Sequence, residues 1–281
     1  MKKITIKAKA KVNLTLDVLG QNGGYHDINS LVTTIDLFDK ITIKKRKDSR
    51  ITLTMKGLAV DCPITENNAY KAAQMFIKSF CTNGVDIIIH KNIPLGAGLG
   101  GSSADIAGVL LGMKELYQEA GDLLPLANNL GSDSGYMLSG GYAVISGRGD
   151  KIEHCDIEQK FYLLLINEDQ QISARASYKG FDKLGKTIEP CTNIALNALK
   201  EKDYNKFFDI IKNDLFLSSK EIVPHISANI IALKKTGAPA QIMSGSGPTV
   251  YGIYLNEKQR DLAYKKLYPI YKEQLLKVQT L

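Results

Sequence analysis

Nowhere in the 281 residues is there an apolar run of about 18, so no segment is suited to cross a membrane as a helix. The opening residues, Met1-Lys2-Lys3-Ile4-Thr5-Ile6-Lys7, alternate charged and apolar side chains where a signal peptide would need a continuous apolar stretch. Cysteine is scarce and scattered. Cys62, Cys81, Cys155 and Cys191 stand singly, with no CxxC pair and no Cys/His cluster. That argues against a zinc site and a disulfide scaffold, and we expect reduced, structural thiols in a cytoplasmic protein. Internal repeats, low-complexity tracts and flexible linkers are missing too, which excludes collagen-like, coiled-coil and disordered classes.

What is present is ordinary for a globular enzyme: 44% hydrophobic and 23% charged residues, in a length that suits one large or two modest domains. Lys and Arg number 36 against 29 Asp and Glu, a net charge of +7. Such an excess can serve a nucleic acid, a membrane surface or an anionic small substrate. The basic residues are spread out, however. Lys44-Lys45-Arg46-Lys47 reads as a solvated hairpin tip, and Lys265, Lys266, Lys272 and Lys277 lie along the last helices. No basic face interleaved with aromatics emerges, so the charge is read as background.

The first segment carries the clearest strand pattern. Ile4, Ile6, Ala8, Ala10, Val12, Leu14, Leu16 and Val18 fall on even positions, with Lys3, Thr5, Lys7, Lys9, Lys11, Asn13, Thr15 and Asp17 between them. A period of two predicts a strand with one buried and one open face. A turn at Gly20-Gln21-Asn22-Gly23-Gly24 follows, then β-like runs at 31–36, 40–45, 51–55 and 85–90, predicting a largely antiparallel sheet. Asn67 to Phe80 reads as a helix with Ala69, Ala72, Ala73, Phe76 and Phe80 on one face. Beyond residue 105 the spacing predicts a long helix, then a short one at about 122–130 closed by Gly131. Strands at 142–146 and 161–166 are separated by the turn 147–150. Helices at 192–200, 203–216 and 218–235, strands at 240–244 and 249–255, and a helix from Glu257 complete the chain. We expect two closely associated domains, 1–155 and 156–281.

Chemistry concentrates in Pro94-Leu95-Gly96-Ala97-Gly98-Leu99-Gly100-Gly101-Ser102-Ser103-Ala104. Glycines let the backbone turn tightly and bring N–H groups to a bound anion. Ser102 and Ser103, where a helix begins, can cap it or hold phosphate oxygens. The run is not a Walker A loop, because no Gly-Lys-Ser/Thr closes it. Nor is it a Rossmann fingerprint, because no acidic residue ends a strand about 20 residues on. A second glycine cluster, Met243-Ser244-Gly245-Ser246-Gly247-Pro248-Thr249, could alone be a hairpin turn. In a third segment, Leu130-Gly131-Ser132-Asp133-Ser134-Gly135, an aspartate in such a loop is by itself more often a turn or cap residue.

Read in chain order, the segments Ala10-Lys11-Val12-Asn13-Leu14, Gly24-Tyr25-His26, Pro94–Ser103, Gly131-Ser132-Asp133 and Ser244-Gly245-Ser246-Gly247 resemble the motifs of the GHMP kinase superfamily. The pairing of the first with Gly24-Tyr25-His26 is most similar to the branch whose acceptor is a cytidyl diphosphate ester of methylerythritol. The resemblance spans nearly the whole chain. It implies an α+β fold, with an N-terminal domain of mixed sheet and helices bearing the ATP loop and a C-terminal ferredoxin-like domain. It also implies transfer of the ATP γ-phosphoryl group to the 2-hydroxyl of 4-diphosphocytidyl-2-C-methyl-D-erythritol, in non-mevalonate isoprenoid precursor synthesis.

The same resemblance implies roles. Asp133 matches the residue that orients or deprotonates the acceptor hydroxyl, and Lys11 the lysine that accompanies it. Pro94 to Ala104 match the ATP loop, and Asn67 a residue near adenine, although Asn is also a common helix cap. Asn13 matches a contact to the methylerythritol hydroxyls. Tyr25 and His26 match the residues that hold cytosine, by stacking and by hydrogen bonds. Lys91 matches a lysine near the nucleotide-like part of the substrate, and Gly245 and Gly247 lie on the substrate side. Mg²⁺ is expected to travel with ATP; its protein ligands are unknown, with Ser102 or Ser103 as candidates. ATP and the cytidyl substrate are the implied partners, without nucleic acid or membrane, in a monomer or weak homodimer. Three departures fall mainly on substrate-side loops: Gln21-Asn22-Gly23-Gly24 is shorter than usual and lacks an Arg and an Asp, Gly98 to Ser103 is compact, and Ser134-Gly135-Tyr136-Met137 replaces an apolar run. They leave open another small alcohol as acceptor. A non-catalytic GHMP-like binding protein is the other alternative, against which Lys11, Asp133 and the loop glycines argue.

Overall fold

The computed structural model describes residues 2–60, 62–185 and 189–281. Its contacts divide the chain into two compact units that interleave in sequence. The first comprises Met1–Ala10, Leu37–Leu95 and Gly100–Gly140, and the second Lys11–Asp36, Gly96–Leu99 and Gly141–Leu281.

In the first unit β4 (Ile51–Gly57) pairs in parallel with β5 (Val85–Lys91), and β5 pairs antiparallel with residues 40–45 of β3 (Tyr25–Lys45). One parallel pair makes the sheet mixed, within the largely antiparallel pairing that the short strands predict. The runs at 31–36 and 40–45 belong to that single strand. α1 (Asn68–Phe80) buries Ala69, Ala72, Ala73 and Phe76, as its spacing predicts. α2 (Gly101–Tyr117) lies flush on the sheet through glycine. A Cβ on Gly108 would stand 2.7 Å from Ile41 Cδ1 and 2.9 Å from Ala8 Cβ, and one on Gly112 2.7 Å from Ile43 Cδ1. Ile106, Val109, Leu110, Met113 and Leu116 of α2 are all buried. α3 (Leu124–Leu130) and the six-residue α4 (Ser134–Ser139), a segment expected as loop, complete the unit.

In the second unit β2 (Asp17–Asn22) and the start of β3 form a hairpin, and β3 also pairs with β6 (Ala143–Gly147). The turn 147–150 joins β6 to β7 (Lys151–His154), a strand missing from the sequence reading. A four-stranded antiparallel sheet follows, in the order β11-β8-β10-β9, from β8 (Tyr162–Ile166), β9 (Ala240–Met243), β10 (Val250–Tyr254) and β11 (Leu275–Gln279). With helices between β8 and β9 and α10 (Glu257–Tyr271) between β10 and β11, this is the ferredoxin-like arrangement. The other helices are α5 (Ala174–Leu184), α6 (Thr192–Lys200), α7 (Tyr204–Ile210), α8 (Phe216–Ile222) and α9 (His225–Lys234). The two helices expected at 203–216 and 218–235 are thus three, broken before Phe216 and again at Pro224, whose ring cannot continue a helix from the preceding turn. Leu16, Leu164, Ile166, Ile172, Leu215, Ile226, Val250 and Leu267 lie in the core of this unit. All four cysteines are free thiols. No helix among the described residues is long and apolar enough to cross a membrane.

Candidate active site

The glycine loop divides between the units at Leu99/Gly100. Gly96, Gly98 and Gly100 are all left-handed (φ +59°, +75°, +72°), and between them Ala97 and Leu99 point inward and are buried. Alternating handedness of this kind turns successive N–H groups to one side. In the second unit the loop packs backbone to backbone against Ser244–Thr249. A Cβ on Gly98 would lie 2.0 Å from the Ser244 carbonyl, and one on Gly245 3.0 Å from the Gly98 carbonyl. Ser244 Oγ donates to that Gly98 carbonyl at 2.8 Å, and the Gly247 N–H closes the turn onto Ser244 O at 2.8 Å. Asn213, buried between α7 and α8, donates from Nδ2 to the carbonyls of Met243 and Gly245, both at 2.8 Å. Nothing in the sequence reading marked Asn213; its only signal was the polar Asn213-Asp214 pair between two apolar runs.

Lys11 and Asn13 are brought to the same place. The Lys11 N–H donates to Leu99 O at 3.0 Å, and its ammonium donates to Asn13 Oδ1 at 2.5 Å. Asn13 Nδ2 donates to Ser30 Oγ at 2.8 Å, its N–H to Ser244 Oγ at 3.3 Å, and its carbonyl accepts from the Tyr251 hydroxyl at 2.7 Å. Lys11 is 4% and Asn13 1% exposed. A solvent-facing lysine is excluded, because a buried ammonium persists only where it has polar partners.

In the first unit Gly100 is the N-cap of α2 and has no side chain with which to cap the first-turn N–H groups. Ser102 and Ser103 sit in that turn, followed by buried Ala104. Asn68 Nδ2 donates to Ser102 Oγ at 3.0 Å. The neighbouring Asn67 caps α1, its Oδ1 accepting from the Ala69 N–H at 2.9 Å. A Cβ on Gly131 would stand 3.4 Å from Ser103 Oγ and 2.7 Å from Ser134 Oγ, so the Gly131-Ser132-Asp133 turn closes on the start of α2. Asp133 is half-buried at the head of α4, and its side chain does not cap that helix.

Lys91 is enclosed within the protein, 2% exposed. Its ammonium donates to Asp39 Oδ2 at 2.5 Å and Asp105 Oδ2 at 2.6 Å, with the Gly101 carbonyl 3.4 Å away. Asp39 Oδ1 in turn accepts the N–H groups of Asn92 and Ile93 at 2.6 and 2.9 Å. Burial raises the Asp105 pKa, aided by Asp39 and opposed by Lys91. This ion cluster ties the end of β5 and the segment before the glycine loop to the first turns of α2.

The first two residues of β3 are Tyr25 and His26. Tyr25 is 54% exposed, with the Arg148 guanidinium over its ring at 3.4 Å. The His26 ring stacks on Tyr178 of α5, with centroids 4.6 Å apart and planes 21° from parallel. Its Nε2 lies 2.7 Å from Asp182 Oδ1, and Gln21 Nε2 donates to Asp182 Oδ2 at 3.0 Å. Sequence reasoning missed α5 and with it Tyr178 and Asp182. The signals were Ser173, which caps the helix, and Gly185, which ends it.

No group of three or more His, Cys, Asp and Glu able to hold a metal ion occurs among the described residues. The serine hydroxyls at the start of α2 are oxygen donors of the kind Mg²⁺ accepts, and this ion characteristically keeps water and phosphate for its other ligands. The N–H groups of a helix start and these hydroxyls likewise suit a polyphosphate.

Residues 67–148 match the GHMP kinases N terminal domain and residues 195–272 the GHMP kinases C terminal domain. The chain is 36% identical over 279 residues to the 4-diphosphocytidyl-2-C-methyl-D-erythritol kinase of Syntrophomonas wolfei, covering 97% of both chains. The crystal structure of a 4-(cytidine 5'-diphospho)-2C-methyl-D-erythritol kinase superposes with a TM-score of 0.83 at 25% identity, covering 99% of this chain and 100% of that one. A homoserine kinase from Cytophaga hutchinsonii shares the fold, with a TM-score of 0.76 at 16% identity over 100% and 95% of the two chains. The molecule is therefore a GHMP kinase, an ATP-dependent phosphotransferase with an alcohol as acceptor. Within that class it belongs to the family of the 4-diphosphocytidyl-2-C-methyl-D-erythritol kinases.

Proposed function

We propose that this chain transfers the γ-phosphoryl group of ATP to the 2-hydroxyl of 4-diphosphocytidyl-2-C-methyl-D-erythritol, a step of non-mevalonate isoprenoid precursor synthesis. The observation that carries the reading is the end-to-end kinship: 36% identity over 97% of both chains with a kinase of that name. In the reaction the 2-hydroxyl oxygen bonds to the γ-phosphorus, the bond from that phosphorus to the β-bridging oxygen breaks, and ADP leaves. The hydroxyl proton passes to Asp133, which orients or deprotonates the acceptor. Lys11 stabilises negative charge as it develops on the transferred group. Asn13 holds the acceptor hydroxyls, and Tyr25 and His26 hold the base. N–H groups of the loop between Leu95 and Ser103 and the hydroxyls of Ser102 and Ser103 bind the phosphates, with Pro94 and Ala104 flanking them, and Mg²⁺ accompanies the phosphates, supplying charge neutralisation. Asn67 lies on the adenine side, and Gly245 and Gly247 line the acceptor side.

Lys91 has a different part in this reading. Enclosed by Asp39 and Asp105, it holds the start of α2 beneath the phosphate loop. The family's two domains are assigned to residues 1–155 and 156–281 of a cytoplasmic monomer or weak homodimer. Such a transfer is mostly positioning and charge stabilisation. Release of ADP, followed with the cytidyl ester, mevalonate and homoserine in turn, tests the acceptor: only the first is expected to support turnover. Asp133→Asn is expected to lower kcat by about 10²-fold or more with KM for ATP little changed. Unchanged turnover would remove Asp133 from the mechanism.

A further inference from the structure

Two side chains meet His26 from different elements: Gln21, in the shortened turn, and Asp182 on α5. His26 Nε2 stands 2.7 Å from one oxygen of Asp182, while the Gln21 amide donates to the other at 3.0 Å. Gln21 Nε2 also lies 3.1 Å from His26 Nε2, but the shorter contact is to a carboxylate, which only accepts, and this places the hydrogen on Nε2. The Tyr178 face, stacked at 4.6 Å, sets the plane of the ring. Nδ1 makes no hydrogen bond among the described residues, and in a neutral ring protonated on Nε2 it carries a lone pair. Second-neighbour bonds of this kind fix which nitrogen of an imidazole presents a proton.

We propose that Asp182 is a specificity-determining positioning residue. Its carboxylate, steadied by Gln21, holds the His26 imidazole with the proton on Nε2, leaving Nδ1 as an acceptor for an amine on the bound base. The inference rests on the proposed binding of a cytidyl group beside His26. Cytosine carries an exocyclic amine at position 4, which donates to Nδ1. Uracil has a carbonyl at the same position, and two acceptors would then face each other across a desolvated contact, which costs affinity.

The test compares kcat and KM for the cytidyl substrate and its uridyl counterpart in the intact enzyme. Asp182→Asn can pair with either tautomer, because its amide both donates and accepts. We expect it to lower the cytidyl-over-uridyl preference about ten-fold through KM, with kcat and KM for ATP unchanged. Asp182→Glu, which keeps the carboxylate on a helix surface, is expected to restore most of the preference. Nitrogen-15 NMR of His26 in the wild-type protein should report a neutral ring protonated at Nε2, and a tautomer mixture in Asp182→Asn. An unchanged preference in Asp182→Asn, or a wild-type ring protonated at Nδ1, overturns the proposal. Failure of the underlying reading looks different: His26→Ala would then leave KM for the cytidyl substrate unaltered, while the NMR result would still decide the tautomer.

Discussion

Lys9 and Lys11 stand two residues apart on one strand, and only the first meets solvent. The alternation of β1 (Lys3–Asn13) holds through Ala10, after which every residue from Lys11 to Asp17 is buried. Periodicity registers the sides of a strand and not what covers them, so it identified Lys11 and Asn13 as neighbours but not as buried ones. The polar residues of this stretch are instead satisfied by partners distant in sequence. Asp17 accepts the N–H groups of Cys191 and Thr192, both at 2.9 Å, where α6 begins. Beside it Asp214 Oδ2 accepts from the Val18 N–H at 2.9 Å, and Oδ1 has no hydrogen-bond partner among the described residues. Burial first, with the charge of Asp17 adding to it, raises Asp214 to about 6, against the Val18 bond and Lys212. Its folded pKa thus exceeds the unfolded value near 3.9, so between about pH 4 and 6 the native state binds the extra proton. Stability falls as pH rises through that window, and the whole penalty is present above it. Asp214→Asn keeps an acceptor for Val18 and removes the charge. It should stabilise the protein by about 1–3 kcal/mol at neutral pH, with the gain vanishing near pH 4 in denaturation curves. A gain independent of pH would contradict this origin.

Among elements, legibility followed length and local punctuation. α1 and α2 were readable because each sustains several turns of spacing, and the glycine loop because its composition is so unlike a plain turn. β7 and α4 were missed because four and six residues are too few to display a period. α5 was obscured by its small and polar residues, Gly180 among them, which faces Ser218 at a distance no larger side chain would keep. β11, five residues after a strongly charged helix, owes its existence to pairing with β8 rather than to its own pattern. The contact between the two glycine loops was invisible for a related reason, since it joins backbone to backbone across about 150 residues of sequence. It makes a sharp prediction. At Gly98 an alanine would meet both a left-handed φ of +75° and a carbonyl at 2.0 Å from its Cβ. Gly237 has φ +83° with nothing within 4 Å. Gly237→Ala should therefore cost only about 1–2 kcal/mol of conformational strain. Gly98→Ala should displace the loop and lower kcat/KM for ATP by about 10²-fold or more. Equal effects at the two positions would show that the loop contact is unimportant.

For the whole molecule, the net charge of +7 opened several classes of partner and closed on none of them. Part of the basic cluster at 44–47 is already neutralised internally, with Arg46 held by Asp48 at 2.6 Å and Asp86 at 2.5 Å. Lys91, too, spends its charge on two carboxylates. Charge content alone could not separate such structural cations from Lys11; motif order marked Lys11 and Lys91 alike, and only the two carboxylates around Lys91 set it apart. The central claim concerns the acceptor, and phosphorus-31 NMR of the products tests it most directly. With ATP, Mg²⁺ and 4-diphosphocytidyl-2-C-methyl-D-erythritol, the account predicts one new phosphomonoester on the 2-oxygen for each ADP formed, with the diphosphate bridge intact. ADP accumulating without that resonance, or a phosphomonoester appearing only with a different alcohol, would contradict it.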